Sequence, residues 1–270
     1  MPAGTVRRYR GGTRELFVSW NLRSTNPLLP SIVMIDPVPD TSEGDHSANF
    51  SPSRERLVLV PTPGELVRVR GSLVAATSVR LELCGFGPIA AAARTACLVA
   101  LHRPARVFLV GIAGAVGDRL AVGQASEFDS VGCHGIGAGG GSDFQSASEL
   151  GWNQWSPEAG DAIGDRLTLA PVAAAETARD LVTVCSASAS EADVQAYLQR
   201  FPEAVAEDME GFAVAMACRM HGVPLTIVRG ISNIAGDRDK SRWRIAAALD
   251  AASELLQHVL DRPANGANCE

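Results

Sequence analysis

The sequence predicts a single α/β domain whose central, mostly parallel or mixed, twisted sheet is flanked by helices. Short β-rich runs alternate with Ala-rich segments of helical length from residue 57 onward, which is typical of a parallel sheet covered on both faces. The 270 residues are 46% hydrophobic, which is enough apolar material for one sizeable core. No period of 20–50 residues recurs, so a repeat protein is excluded.

The individual elements follow from these runs. Strands are predicted over residues 57–60, 79–84, 107–110, 121–131, 181–186 and 225–232. Helices are predicted over residues 88–101, 172–179, 191–199, 211–221 and 242–260. Together they place the folded domain at residues 56–262.

The two ends of the chain differ from this domain. Residues 1–55 are predicted to be a disordered extension, because the stretch 24–53 is rich in Pro, Ser, Asn and Asp and buries too little to offset its ordering entropy. Gly-Gly-Thr-Arg-Glu follows the first arginines where a signal peptide would need an apolar region. Residues 263–270 are predicted to be a flexible tail.

Composition and charge exclude several classes of protein. No apolar stretch approaches the 18 residues of a membrane span. The net charge is −6 and the basic residues are dispersed, which argues against nucleic-acid binding. The six cysteines have no CxxC spacing, and the first five lie in or beside apolar runs. They predict buried thiols in a cytoplasmic protein, with neither disulfides nor a metal site.

Ligands of such sheets bind beyond the carboxyl ends of the strands. Glu65 follows the first predicted strand, after a Pro-Gly turn. Gly85-Phe86-Gly87 follows the second strand, and Gly111-Ile112-Ala113-Gly114 follows the third. Each feature also fits ordinary structure: an acid favoured by a helix dipole, or a glycine that ends a strand.

The last third of the chain carries two further polar segments. Glu207-Asp208-Met209-Glu210-Gly211 places three carboxylates immediately before an apolar helix. The strand 225–232 leads into Ser232-Asn233, which is followed by Gly-Asp-Arg-Asp at 236–239. Acids at a helix start and Ser-Asn at a strand end are each common alone.

Taken together and in this order, these segments resemble the purine and uridine phosphorylase superfamily. The resemblance covers about 200 residues from position 57 onward and lies on the nucleosidase side. Glu-Asp-Met-Glu-Gly-Phe-Ala and Arg-Gly-Ile-Ser-Asn are most similar to the futalosine hydrolases of menaquinone synthesis. The resemblance implies cleavage of an N-ribosidic bond through an oxocarbenium-like transition state, with no cofactor and no metal.

The resemblance also implies roles for individual residues. Glu65 would orient and deprotonate a water, assisted by backbone amides near Ala113 and Gly114. Glu210 would accept hydrogen bonds from the ribose hydroxyls, and Met209 would pack beneath the sugar. Further substrate contacts are implied for Phe86, Gly87 and Ser232.

Asn233 narrows the expected class of substrate. Methylthioadenosine nucleosidases carry Asp at this place, whereas an amide is both donor and acceptor and does not titrate. Its NH₂ group can donate to a 6-oxo group while its carbonyl accepts the N7–H of the departing base. That pairing favours hypoxanthine, and therefore futalosine.

Water is the expected nucleophile, because the arginines that a phosphorylase needs are not found beside the glycine turns. Arg106 precedes its strand, Arg119 lies several residues past Gly114, and Arg68 is the first arginine after Glu65. Arg229 lies inside a strand and is expected to form an ion pair with Asp237 or Asp208.

Two alternatives stay open at this stage: a methylthioadenosine/S-adenosylhomocysteine or other purine nucleosidase, and an inactive nucleoside-binding protein of the same fold. The expected partners are a small nucleoside and water, and the resemblance implies a homodimer or higher homo-oligomer. The segment 151–167, with Trp152 and Trp155, is a candidate either for contact with the carboxyphenyl end of futalosine or for surface packing. Lys240, the only lysine, is expected to be exposed.

Overall fold

The structure is a computed structural model that describes residues 55–73, 79–158, 160–172 and 178–262. The predictions for the N-terminal extension and for the tail 263–270 therefore lie outside the described residues. Most of the predicted helix 172–179 also lies outside them.

A mixed sheet of nine strands forms the centre of the described chain. The strands are β1 (Arg56–Val60), β2 (Val79–Leu83), β3 (Arg106–Ala115), β4 (Ala125–Glu127), β5 (Ser130–His134), β6 (Gly137–Ala138), β7 (Gln145–Ser146), β8 (Arg166–Thr168), β9 (Asp180–Val184), β10 (Ala204–Asp208) and β11 (Leu225–Ile234). The order in the sheet is β2-β1-β3-β10-β9-β5-β8, with β11 paired to β3 and β4, while β6 and β7 pair separately.

Helices cover the sheet, as predicted. The α-helices of the described residues are α1 (Pro63–Ser72), α2 (Pro88–His102), α3 (Glu191–Leu198), α4 (Gly211–Met220) and α5 (Ile245–Asp261). Helix α5 packs on β3 and β11 and contacts α1, while α2 packs against α4. The α/β prediction is therefore confirmed, and none of the described helices is long and apolar enough to cross a membrane.

Strand β3 lies between the other strands that lead to the site. On one side, β3 pairs in parallel with β11 over residues 107–115. On its other side, its first four residues pair in parallel with β1, and its last two pair antiparallel with β10. As a result Gly114 has two register partners, Glu207 on β10 and Asn233 on β11. The segments that follow β1, β3, β10 and β11 thus meet at one edge of the sheet.

Several local predictions were wrong. The predicted strand 121–131 is two strands, β4 and β5, because the chain turns at residues 128–129 to reach β9. Residues 204–208 form strand β10, which is not among the predicted strands, whereas helix α4 begins after the three carboxylates, at Gly211, as predicted. Within the glycine-rich segment 135–141, Gly137–Ala138 pair antiparallel with Gln145–Ser146 to form the β6–β7 hairpin, which is not among the predicted strands. Cys97 and Cys185 are exposed, whereas Cys84, Cys133 and Cys218 are buried as predicted.

Candidate active site

A cavity of about 720 Å³ opens at the edge of the sheet where these segments meet. This volume lies in the range of small-molecule sites. Among the described residues, all but one of the predicted site residues line the cavity. They are Glu65, Phe86, Ala113, Gly114, Met209, Glu210, Ser232 and Asn233. Gly87 is the exception, and it contacts the site through Glu210.

Glu65 is held by the start of helix α1. Thr62 caps that helix: its hydroxyl accepts from the Glu65 backbone N–H and donates to Glu65 Oε2 over 2.6 Å. The Thr62 backbone N–H also donates to Oε2, and the Ile112 N–H donates to Oε1 over 3.1 Å. A carboxylate has about four acceptor sites. Three are therefore used, and one is left for a group in the cavity.

The backbone amide that holds Glu65 belongs to Ile112, next to Ala113 and Gly114, whose own role toward a water stays a prediction. Gly111, the preceding residue, allows a close approach. A Cβ at Gly111 would lie 2.9 Å from Glu65 Oε1 and would collide with the Arg229 guanidinium. Glycine at this position therefore lets Arg229 come up beside Glu65.

Arg229 is fully buried between two carboxylates. Its Nε and Nη2 donate to Asp208 Oδ2 over 3.0 and 2.5 Å, and Nη2 also lies 3.2 Å from Glu210 Oε2. The predicted ion pair with Asp208 is confirmed, while the alternative partner, Asp237, pairs with Arg242 instead. Within the described chain, Arg229 Nη1 has no hydrogen-bond partner.

The electrostatics of this cluster favour a charged Arg229 and a readily protonated Glu210. Burial opposes the charge of Arg229, but Asp208, Glu210 and Glu65 outweigh it and raise the Arg229 pKa. Burial also raises the pKa of Glu210 to about 7, although Arg229 and the Gly87 N–H oppose this shift. Glu210 is therefore a carboxylate whose charge is lost in mildly acidic solution.

Asp208 has a structural role. Thr183 Oγ1 donates to its Oδ1 over 2.6 Å, the Gly211 N–H donates to both of its oxygens, and Arg229 Nη2 donates to Oδ2. These bonds fix the turn from β10 into α4. That turn places Met209, which is half-buried, and Glu210 on the cavity wall.

A β-bulge brings both Ser232 and Asn233 to the cavity. The register of β11 against β3 slips between Ile231 and Asn233, so Ser232 is an extra residue. Successive residues of a regular strand point to opposite faces, and a bulge re-aims one of them. The Ser232 hydroxyl lies 2.8 Å from Asn233 Oδ1, and Asn233 Nδ2 donates to the Ile234 carbonyl over 2.9 Å. One N–H and one lone pair of the Asn233 amide are left for a ligand.

Sequence reasoning missed part of the cavity wall. Arg238, Lys240 and Trp243 line it, and the Arg238 guanidinium lies 5.3 Å from the centre of the Trp243 ring. Lys240 is exposed, as predicted, but at the rim of the cavity. The described residues of the segment 151–167 do not reach the cavity, and Trp152 is a surface side chain. The Gly-Asp-Arg-Asp run after Asn233 was the sequence signal for this wall.

Glu207 was also given no role from the sequence. It lies on the cavity wall, yet its side chain is only 6% exposed. Glu207 is the penultimate residue of strand β10, and its register partner on β3 is Gly114, which is also aligned with Asn233 of β11.

The three other arginines considered as phosphate ligands, Arg68, Arg106 and Arg119, bind other groups of the chain. Arg68 reaches the cavity wall, but its guanidinium is paired with Asp250. Arg106 binds the Ala170 carbonyl and Thr226 at the start of β3, the far end of the sheet, as expected. Arg119 pairs with Glu203. No cluster of three metal-binding side chains occurs in the described part of the chain.

Comparison with known proteins agrees with this architecture. The family description "Phosphorylase superfamily" matches residues 48–263. Futalosine hydrolase of Streptomyces coelicolor is 34% identical over 187 residues, which are 65% of this chain and 76% of that protein. The 5'-methylthioadenosine/S-adenosylhomocysteine nucleosidase of Psychromonas ingrahamii is 30% identical over 193 residues, which are 68% of this chain and 80% of that protein.

Solved structures show the same fold. The native structure of futalosine hydrolase from Helicobacter pylori aligns with 77% of this chain and 98% of its own, with a TM-score of 0.62 and 14% identity. The 5'-methylthioadenosine/S-adenosylhomocysteine nucleosidase of Neisseria meningitidis, in complex with methylthio-immucillin-A, aligns with 77% of this chain and 99% of its own. Its TM-score is 0.61, with 18% identity. The chain therefore belongs to the phosphorylase superfamily, within its nucleosidase branch.

Proposed function

We propose that the protein hydrolyses the N-ribosidic bond of futalosine and releases hypoxanthine. The observation that carries the proposal is Glu65, a buried carboxylate on the cavity wall that has one acceptor site free. In the proposed reaction, a water in the cavity donates a hydrogen bond to that free site. Glu65 takes a proton as the water oxygen bonds to the anomeric carbon and the N-ribosidic bond breaks, a step worth about 10²–10⁴-fold. The base takes up a proton on N7 from solvent and leaves as neutral hypoxanthine, with the Asn233 carbonyl accepting that N7–H.

Glu210 and Met209 form the ribose subsite of this proposal. Glu210 is buried beside Arg229 and still faces the cavity, so it can accept from the ribose hydroxyls. Its negative charge also stabilises the cation that develops on the ribose as the bond to the base breaks. Met209 supplies an apolar surface under the sugar and excludes competing waters.

The charges around Glu65 favour water over phosphate as the nucleophile. Arg229 is paired with Asp208 and Glu210, and Arg68, which lines the cavity with Glu65, is paired with Asp250. A phosphate dianion beside Glu65 would be repelled by that carboxylate, and paired arginines offset this repulsion less than unpaired ones would. Added phosphate is therefore expected neither to accelerate base release nor to yield a ribose 1-phosphate.

The far end of the cavity favours futalosine over methylthioadenosine. Futalosine carries a carboxyphenyl ketone, whereas methylthioadenosine ends in a small apolar thioether. Arg238, Lys240 and Trp243 line the cavity, and they combine two cations with an aromatic face. These groups suit an aromatic carboxylate. The similarity to futalosine hydrolase of Streptomyces coelicolor supports the same substrate.

The deciding experiment offers the purified protein futalosine, aminodeoxyfutalosine and methylthioadenosine separately and identifies the released base. We expect hypoxanthine from futalosine and at least tenfold slower release of adenine from the other two. Adenine released fastest from methylthioadenosine would instead make the protein a methylthioadenosine nucleosidase. Binding without release would make it an inactive nucleoside-binding protein.

Two variants test the assigned roles in the same assay. Glu65→Gln keeps the shape of the side chain but cannot accept a proton, so turnover is expected to be abolished. Lys240→Ala is expected to raise the KM for futalosine while leaving inosine unaffected, because inosine has no carboxylate. Glu203→Gln, a change at an exposed surface residue, is the matched control.

A further inference from the structure

Gly64 is a glycine of helix α1 that the backbone does not require. It is the second residue of the helix, between Pro63 and Glu65, and its φ is not among the positive values of the described glycines. A Cβ built at Gly64 would have no atom within 4 Å. Because glycine loses more conformational entropy in a helix than alanine does, this glycine weakens α1 without a structural reason.

The empty space beside Gly64 belongs to the active-site cavity. Gly64 and Arg68 both line the cavity, and residues four apart in a helix lie on the same face. Helix α5, which contacts α1, lines the same cavity with Ile245, Ala246 and Leu249. These five residues define the α1–α5 cleft, and a side chain at position 64 would enter it.

The α1–α5 cleft is apolar and has one charged border. Arg68 donates to both carboxylate oxygens of Asp250 on α5, over 2.7 and 2.5 Å, and this pair bridges the two helices. The charge of the guanidinium is therefore balanced within the protein, while the aliphatic stem of Arg68 can cover apolar surface. The cleft suits an apolar or aromatic group better than an anion.

The other walls of the cavity are assigned to the rest of a nucleoside. Under the proposed function, Glu65 binds the water, Glu210 and Met209 contact the ribose, and Asn233 contacts the base. The part of the substrate that these walls leave is the substituent on the 5' carbon of the ribose. Because Gly64 directly precedes Glu65, the α1–α5 cleft begins beside the reacting sugar.

We infer that Gly64 is a specificity-determining residue, whose missing side chain makes room in the α1–α5 cleft for a bulky aromatic substituent on the 5' carbon. A nucleoside that carries only a 5' hydroxyl does not reach the cleft, so a side chain at position 64 affects it much less. The inference deepens the proposed function and rests on it for the orientation of the nucleoside.

The test fills the cleft from position 64 and compares two substrates. Gly64→Leu places a branched apolar side chain in the space assigned to the 5' substituent. We expect the ratio of kcat/KM for futalosine to kcat/KM for inosine, which has only a 5' hydroxyl, to fall at least about tenfold, mainly through a higher KM for futalosine. Inosine cleavage requires the same Glu65, so it reports whether the start of α1 is intact. An unchanged ratio, whether both activities persist or fall together, would overturn the inference.

Gly71→Leu is the matched control. Gly71 lies in the last turn of the same helix, has no atom within 4 Å of a built Cβ and is outside the cavity lining, so its replacement should leave the ratio unchanged. Alanine at either glycine should raise the Tm by about 1–4 °C, because both changes remove a residue that weakens the helix. A lower Tm in Gly64→Ala would show that the backbone requires glycine there. That result, or an equal fall of the ratio in Gly71→Leu, would contradict the inference.

The outcomes separate the inference from the proposed function. If the wild-type protein releases no base from either nucleoside, the proposed function fails, and calorimetric Kd values of futalosine and inosine for the wild type and Gly64→Leu still decide the role of Gly64. If the wild type cleaves futalosine but Gly64→Leu keeps the wild-type ratio, the inference fails while the proposed function stands.

Discussion

The Asn233 amide is oriented by hydrogen bonds to its neighbours. Nδ2 faces the Ile234 carbonyl and Oδ1 faces the Ser232 hydroxyl, so the positions of donor and acceptor are assigned by these contacts. A carboxylate here would place an oxygen against the Ile234 carbonyl, a repulsion that protonation relieves. Asparagine is therefore the residue that the surrounding backbone accommodates without a change in charge.

Replacing this amide is predicted to change the base preference. Asn233→Asp should lower kcat/KM for futalosine about tenfold or more, because the donor to the 6-oxo group is lost, and should raise relative activity on adenine nucleosides. Paired assays with futalosine and aminodeoxyfutalosine measure this change. Unchanged futalosine turnover in the variant would remove Asn233 from base recognition.

The raised pKa of Glu210 predicts that activity depends on pH. Its pKa is raised to about 7 by burial, so its negative charge disappears as the pH falls through that value. If the ionised form stabilises the ribosyl cation, kcat/KM should rise about tenfold between pH 6 and pH 8 and then level off. A pH profile of kcat/KM measures this limb, and a flat profile over the range would argue against an ionised Glu210.

Stability provides the control for that profile. Because the folded pKa of Glu210 lies above its ordinary value of 4.5, the protonated form is favoured by folding. The contribution of this group to stability is complete at pH values below its ordinary range and declines as the pH rises toward 7. Unfolding caused by Glu210 therefore cannot explain lower activity at pH 6, and thermal melting at both pH values checks this.

At the scale of elements, the start of α1 couples helix stability to the site. Thr62 caps the helix and holds Glu65 at the same time, since Glu65 is the third residue of that helix and completes the capping box. Helix α1 was absent from the sequence prediction, because only the acid after the Pro-Gly turn was recognised. The Thr-Pro-Gly-Glu order was the available signal for it.

Two cap variants separate the two roles of this element. Thr62→Ala should lower the free energy of unfolding by about 0.5–2 kcal/mol and also lower kcat, because Glu65 loses its 2.6 Å contact. Ser190→Ala removes the cap of α3 away from the cavity and should lower stability by a similar amount without affecting kcat. Urea denaturation and single-substrate kinetics on both variants test the pair. Equal kcat values for the two variants would show that Thr62 acts only as a cap.

At the scale of the whole molecule, the Arg229 cluster joins separate parts of the chain. Arg229 lies on β11, Asp208 ends β10 and Glu210 precedes α4, and the Arg229 and Asp208 side chains are fully buried. Removing one member of such a cluster leaves its partners charged and unpaired in the core. The cluster therefore connects the sheet to the helix that carries the ribose subsite.

Arg229→Met is predicted to destabilise the fold by about 3–5 kcal/mol, because it leaves Asp208 and Glu210 without a counter-charge. The control is Arg219→Met, which breaks an exposed pair with Asp161 and should cost less than about 1 kcal/mol. Chemical denaturation curves of the two variants and the wild type measure the difference. Similar costs at both positions would contradict a structural role for the cluster.

The alternation of strands and helices follows from local patterns, so most of the elements could be predicted from the sequence. The order of the polar segments and their resemblance to a known family predicted residues that, apart from Gly87, line one cavity. The partners of those residues depend on the folded sheet. The two-sided register at Gly114, the bulge at Ser232 and the approach of Arg229 to Glu65 bring together positions far apart in the chain. Strand pairing and burial create these contacts, and no local pattern encodes them. For that reason Glu65 and Asn233 could be predicted as site residues from the sequence, whereas the position of Glu207 on the cavity wall depends on the strand register.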